Sequence, residues 1–191
     1  MDTPSHPVAL VQVLSVLQDA DTAGYIGEPV SQLSHALQCA HFARKSGASD
    51  TLIIAALCHD IGHLVAGPDA PQMDGLGVVD HENLGAAFLR ARGFSQPVCE
   101  LVRGHVQGKR YLAFKSETYR AALSLASRGT LTFQGGPMSP QQAAMFEADP
   151  LFEEKVRLRR FDEAAKERDL VVAPLAAYTP ILQRHLAEHA V

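Results

Sequence analysis

The sequence predicts an all-α fold, a compact helical bundle. Apolar residues recur at spacings of three and four almost throughout the 191 residues. Alternating runs that would form strands are scarce, and turn-forming residues stand where the helical patterns stop. With 47% hydrophobic and 20% charged residues, the chain suits one globular core, and a single domain over residues 1–191 is expected.

Nine helices are expected in order. The first covers residues 6–20. The second, 29–46, is apolar nearly all round and stops before Gly47, a residue suited to the C′ position. The third, 50–61, is the most apolar, and the turn-rich stretch GPDAPQMDGLGV (67–78) lies beyond it. Asp80 suits the N-cap of the fourth, 80–92, which closes before Gly93. Ser95 likewise suits the N-cap of the fifth, 96–112. The sixth, 116–129, leads into a second irregular stretch, TLTFQGGPM (130–138). Ser139-Pro140 and Asp149-Pro150 each read as a cap followed by proline at N1, opening helices at 139–148 and 150–167. The last helix covers 175–189. Irregular stretches of this kind often border sites.

Composition excludes several classes of function. A net charge of −4 without clustered Lys and Arg argues against a phosphate-backbone surface, so nucleic acid is not an expected partner. The opening MDTPSHPVAL has no basic segment leading into an apolar one, and no stretch approaches the ~20 apolar residues of a membrane span. A cytoplasmic protein is expected. Cys39, Cys58 and Cys99 fall inside apolar helical patterns without a CxxC pair, which predicts buried reduced thiols.

The histidines divide by position. His105 shares a helix face with Val98, Leu101 and Val102, and Lys109 follows one turn later. His81 precedes Leu84 and Phe88 on an inward stripe, and His35 aligns with Cys39 and Phe42. His59 and Asp60 end the most apolar helix, with His63 one turn beyond. Asp162 stands on a stripe with Leu158 and Ala165, one turn after Arg159. His6, His41, His185 and His189 lack such placement and read as surface or ordinary packing.

Any one of these residues could be a core histidine bonded to backbone or a capping aspartate. Taken together they favour a shared cation, because several buried imidazoles and two carboxylates without charged or metal partners would cost several kcal/mol per unsatisfied group, and one cation satisfies them all. Imidazole and carboxylate without thiolate suit first-row ions such as iron, manganese or zinc. Six candidates, His35, His59, Asp60, His81, His105 and Asp162, exceed the need of one tetrahedral ion. They suffice for two ions if Asp60 bridges.

A His…His-Asp…Asp series on helices resembles the HD-domain superfamily of metal-dependent proteins, mostly phosphohydrolases. The minimal motif maps to His35, His59-Asp60 and Asp162, and the further pair His81 and His105 resembles its dinuclear members. The stretches GYIGEPVSQLSHALQCAHFA, AALCHDIGHL, GLGVVDHENLGA, GHVQGKRYL, LSLASRGTLTFQGGPM and LRRFDEAAK together resemble the HD-domain mixed-valent diiron oxygenases, which cleave the carbon–phosphorus bond of phosphonates.

That resemblance implies an HD-domain bundle and an O2-dependent enzyme releasing phosphate from a 1-hydroxy-2-aminoethylphosphonate. The free amine would give glycine and its trimethylammonium analogue glycine betaine. It also implies two iron ions (Fe2+/Fe3+). One would be held by His35, His59, Asp60 and Asp162, the other by Asp60, His81 and His105, with His59, Asp60, His81 and His105 central to catalysis. Tyr25 matches a residue that occupies the second iron at rest, and Glu28 one that moves with it. His63, Lys109, Ser127 and Arg159 match groups around the phosphonate, a role suited to a point charge, a planar fork and a hydroxyl. The metal ligands alone leave open an HD-type phosphohydrolase. A degenerate interaction module would be expected to have lost ligands, and all six are present.

Overall fold

The computed structural model describes residues 5–21, 24 and 27–189. Tyr25 lies outside them. The described chain forms α1 (His6–Asp19), α2 (Gln32–Lys45), α3 (Asp50–Cys58), α4 (Ile61–Val65), α5 (His81–Arg90) and α6 (Gln96–Lys115). There follow α7 (Glu117–Ala122), α8 (Leu125–Phe133), α9 (Pro140–Glu147), α10 (Phe152–Ala164), a 3₁₀ turn at Leu175–Tyr178 and α11 (Thr179–Glu188). No strand occurs among the described residues, in accord with the apolar periodicity.

The helix count exceeds the expected nine for local reasons. The helix expected over 50–61 ends at Cys58, and His59 and Asp60 form a turn before α4. His59 Nδ1 donates to the Ala56 carbonyl at 2.9 Å, satisfying one of the acceptors that a helix end leaves unpaired. The helix expected over 116–129 divides at Ser124, whose Oγ accepts from the Ser127 N–H at 3.1 Å and so caps α8. Helix α8 then continues through Phe133, into a stretch expected to be irregular. Gly135 and Gly136, at φ 91° and 70°, follow it.

Some expected caps form and others are diverted. Ser139 and Gln142 make a full capping box at α9, and Gly47 takes its positive φ just past α2. Asp149 does not cap a helix opening at Pro150. Its Oδ1 accepts from the Leu151 N–H at 2.7 Å and its Oδ2 from buried Lys155 Nζ at 2.6 Å, and α10 begins at Phe152. Asp80 precedes α5 in a left-handed conformation and accepts from the Asn83 amide at 2.5 Å instead of from backbone.

The core is centred on α3, whose residues from Leu52 to Cys58 are all buried. An apolar surface all round requires partners on every side, and α2, α6, α10 and α11 supply them. Full burial of each large aliphatic side chain, Ile54 and Leu57 for example, contributes about 1.5–3 kcal/mol. The apolar C-terminal stretch joins the same core through Leu175, Tyr178 and Leu182. The three cysteines are buried and unpaired with one another, as expected. No helix among the described residues is long and apolar enough to cross a membrane.

Helices α4 and α5 approach closely on one side of this core. A Cβ on Gly62 would collide with the His81 carbonyl, so only glycine permits the contact. The closeness stacks the His63 ring on that of His81, with centroids 3.9 Å apart and planes at 18°.

Candidate metal centre

Five segments converge at the end of α3. His35 comes from the middle of α2, His59 and Asp60 from the α3–α4 turn, His81 from the start of α5, His105 from α6 and Asp162 from α10. The four imidazoles and Asp162 are buried, and Asp60 is partly buried. All six residues expected as ligands are therefore brought together.

They form two triads. In each, His35, His59 and Asp162 in one and Asp60, His81 and His105 in the other, the ligating atoms lie within 4.8 Å of one another. Asp60 Oδ2 faces His59 Nε2 at 3.3 Å and His35 Nε2 at 3.6 Å. Its Oδ1 faces His105 Nε2 at 3.4 Å and His81 Nε2 at 3.5 Å. One carboxylate thus presents an oxygen to each histidine pair, the arrangement a bridging ligand needs.

The hydrogen bonds show which nitrogen of each ring could hold a metal ion. Backbone carbonyls only accept, so a ring nitrogen bonded to one carries the proton. His59 Nδ1 bonds Ala56 O, His81 Nδ1 bonds Val78 O at 3.2 Å and His105 Nδ1 bonds Val102 O at 2.7 Å, each three residues back along the chain. His35 Nδ1 bonds Ala165 O at 2.8 Å, from the far end of α10. In the neutral rings the Nε2 lone pairs then face each other at 3.1 Å, His35 against His59 and His81 against His105. Lone pairs opposed at this distance repel unless a cation lies against both. Asp162 Oδ1, 3.4 Å from His35 Nε2, is buried without a hydrogen-bond partner. The donor set fits metal ions of the imidazole-and-carboxylate class.

Electrostatics divide the two triads: His81 is held neutral, whereas the Asp60 carboxylate favours a proton on His59 that a metal ion would have to displace. Burial would raise both carboxylates, but His59 and His105 hold Asp60, and Arg159 and His35 hold Asp162, well below the usual range. Burial, with His63 and His105 close by, holds His81 well below the ordinary imidazole value and so neutral. Burial alone would lower His59, but Asp60 and Cys39 raise it well above.

A polar cavity opens over the second triad, and Glu28, His63, Lys109, Ser127 and Arg159 all line it. Lys109, only 5% exposed, donates to Thr130 Oγ1 at 2.8 Å. Burial first, then the Arg159 guanidinium, lowers its ammonium to about 7. His63 Nδ1 accepts from the Val78 N–H at 3.1 Å. The Arg159 fork is already committed: Nε donates to the Tyr119 hydroxyl at 2.8 Å, and its two terminal nitrogens pair with Asp162 and Glu163. Arg159 therefore acts first on Asp162, a candidate ligand. Glu28 Oε1 accepts from Ser124 Oγ at 2.6 Å and faces Lys166 at 3.2 Å.

Sequence reasoning missed Tyr119, Thr130, Gln32 and Gln134, all polar residues whose helical spacing carries no distinct signal. The pairings of Arg159 with Glu163 and of Glu163 with Lys166 were detectable as charges four and three residues apart.

Comparison with known proteins agrees with this geometry. The family model of the HD domain matches residues 33–151, which include five of the six clustered residues. The chain belongs to the HD-domain family. This HD-domain protein is 39% identical over 177 residues to the hydroxymethylphosphonate dioxygenase of Gimesia maris, covering 92% of the chain and 86% of that relative. It is 36% identical over 165 residues to the glycine-betaine-forming [1-hydroxy-2-(trimethylamino)ethyl]phosphonate dioxygenase of Leisingera caerulea, covering 86% and 84% respectively. An uncharacterized protein of Acanthamoeba polyphaga mimivirus is 34% identical over 177 residues, covering 92% and 81%. Two relatives of the HD-domain protein are thus named as dioxygenases of phosphonates.

Proposed function

We propose that the protein is an O2-dependent enzyme cleaving the carbon–phosphorus bond of a 1-hydroxyphosphonate, with iron at both triads. The substrate in this reading is a 1-hydroxy-2-aminoethylphosphonate, as the free amine giving glycine or as the trimethylammonium analogue giving glycine betaine. The observation that carries it is one cavity bounded both by the Asp60, His81 and His105 triad and by Lys109 and Ser127. A phosphonate held by the second group of residues has its neighbouring carbon directed at the first. The names of two relatives support the same class of reaction.

His35, His59, Asp60 and Asp162 would hold one iron, and Asp60, His81 and His105 the other. Two iron ions so bound supply the electron transfer that O2 chemistry requires, a capacity protein side chains lack. The chain's own groups bind and orient. The Lys109 ammonium neutralises phosphonate charge, and Ser127 donates a hydrogen bond to a phosphonate oxygen. His63 lines the cavity and is held by Val78 N–H at Nδ1 and by stacking on His81, which leaves Nε2 to meet the substrate. Arg159 keeps Asp162 ionised and oriented. Met73 and Leu76 form an apolar wall that limits water. Pre-set orientation of this kind is worth several kcal/mol in a reaction barrier.

The reaction balances without an outside reductant: one O2 converts the hydroxyphosphonate into a carboxylic acid and phosphate. We take residues 1–191 as one HD domain, because Ala9 and Val13 of α1 and Leu182 of α11 share the core cluster of α3. The test is phosphate release and O2 uptake on the amino, trimethylammonium and unsubstituted hydroxymethyl phosphonates. One O2 consumed per phosphate is expected. Release that continues unchanged without oxygen would overturn the reading in favour of an HD-type phosphohydrolase.

A further inference from the structure

Just past the end of α10, one ammonium joins three groups whose roles above do not account for it. Lys166 Nζ lies 3.2 Å from Glu28 Oε1, 3.1 Å from Ser127 Oγ and 3.0 Å from Glu163 Oε1. Three N–H donors meet three acceptors, and the side chain is 14% exposed. Lys166 does not itself line the cavity, whereas Glu28 and Ser127 do.

The contact with Ser127 has a directional consequence. A serine hydroxyl carries one proton and two lone pairs. Lys166 donates into one lone pair, and the α8 cap uses the Ser127 backbone N–H rather than its hydroxyl. The O–H is therefore left as the donor, on a residue that borders the cavity. Without the ammonium that lone pair loses its donor, and nothing then fixes the rotation of the hydroxyl proton.

The contact with Glu28 has an electrostatic one. Glu28 is a negative group lining a cavity that, on the function proposed above, must admit an anion. Lys166 and the Ser124 hydroxyl hold its Oε1 between them. On its other side Lys166 bonds Glu163, which pairs with Arg159, which pairs with Asp162. Alternating charges thus run from a candidate metal ligand to a cavity carboxylate.

We propose that Lys166 is a positioning residue for the anion subsite. It acts through Ser127 and Glu28, fixing the hydroxyl as a donor into the cavity and neutralising the carboxylate beside the incoming phosphonate. The inference rests on the phosphonate reading.

The test compares full-length, metal-loaded wild type with Lys166→Met and Lys166→Arg. Loss of a charge-assisted hydrogen bond should raise KM for 2-amino-1-hydroxyethylphosphonate about 10-fold or more, with kcat changed less than about 3-fold. Metal content and melting temperature should stay near wild type, and Lys166→Arg should recover most of the KM. In a Ser127→Ala background, Lys166→Met should add much less, because its route is already cut. Unchanged KM in folded, metal-loaded Lys166→Met, or an undiminished effect beside Ser127→Ala, would overturn the proposal. Metal loss in Lys166→Met would do so too, by showing a structural role. Lys166→Gln is read the same way should Lys166→Met be insoluble.

Binding of inorganic phosphate, followed by calorimetry, separates this idea from the oxygenase reading. Should wild type release no phosphate from any hydroxyphosphonate, the function fails while the phosphate comparison still decides Lys166. A Kd raised about 10-fold in Lys166→Met supports it. Equal affinities, or no binding to wild type, refute it.

Discussion

His81 and His105 present their Nε2 atoms to each other at 3.1 Å, each ring fixed by a carbonyl three residues before it. Asp60 faces both of these atoms with one oxygen and the His35–His59 pair with the other. Asp60→Ala should therefore lower the metal content of both triads and abolish activity. His41→Ala, altering a half-buried ring edge-on to Phe42, should leave metal content intact. Elemental analysis of the two purified variants checks this. Equal metal loss in both would show that the histidines are wrongly divided.

Gly62→Ala tests the close approach of α4 and α5. The added methyl meets the His81 carbonyl, so the helices must part. Overpacking of this kind costs about 1–3 kcal/mol. The variant should lose that much stability in urea unfolding and bind metal more weakly, because His81 moves with α5. Wild-type values for both would mean that the contact is slack.

Lys109 gives a pH dependence. Its ammonium, lowered to about 7, loses its charge as pH rises through that value. With a cation required for the dianion, kcat/KM should fall above neutrality, toward about 10-fold per pH unit. In Lys109→Met this descending limb should be absent and kcat/KM low throughout. Identical pH profiles for the two proteins would exclude Lys109 as the titrating group.

His185 gives another, in stability. Its Nε2 accepts from the Ser95 N–H at 3.2 Å, its ring stacks on Phe94 and His189, and burial lowers it to about 4. Unfolded, it takes a proton near 6.5. Between these values the unfolded chain binds more protons, so stability falls as pH drops from about 6.5 toward 4. Wild type should lose about 1–2 kcal/mol more than His185→Gln over that range in chemical denaturation. Parallel losses would assign the acid sensitivity to other groups.

Much of the fold was legible because burial imposes periodicity. The inward stripe that placed His105 beside Val98, Leu101 and Val102 is buried as read. Asp162 was found the same way, as a carboxylate where an apolar residue would ordinarily stand, whereas Arg159 was singled out as its neighbour one turn earlier and by the family resemblance. The breaks were harder to read. Nothing in the run through Leu57 and Cys58 shows that the helix stops, because His59 supplies its terminal bond from a side chain that also fits a helix interior. Ser124 falls inside the single helix expected over 116–129 and is instead the cap of a second. That division turns α8 and brings Ser127 and Thr130 to the cavity. Thr130 could not be foreseen, because its partner Lys109 lies 21 residues away on another helix.

The carbonyl anchors of the four histidines differ in reach. Those of His59, His81 and His105 lie three residues away, so each tautomer is settled once its own turn has formed. The anchor of His35 is Ala165, 130 residues along the chain, and Asp162 belongs to the same late segment. As the chain emerges during synthesis, Asp60, His81 and His105 can come together before α10 exists. The other triad must wait for it. The two halves of the centre therefore differ in the length of chain that each requires, a difference set by which carbonyl each imidazole uses.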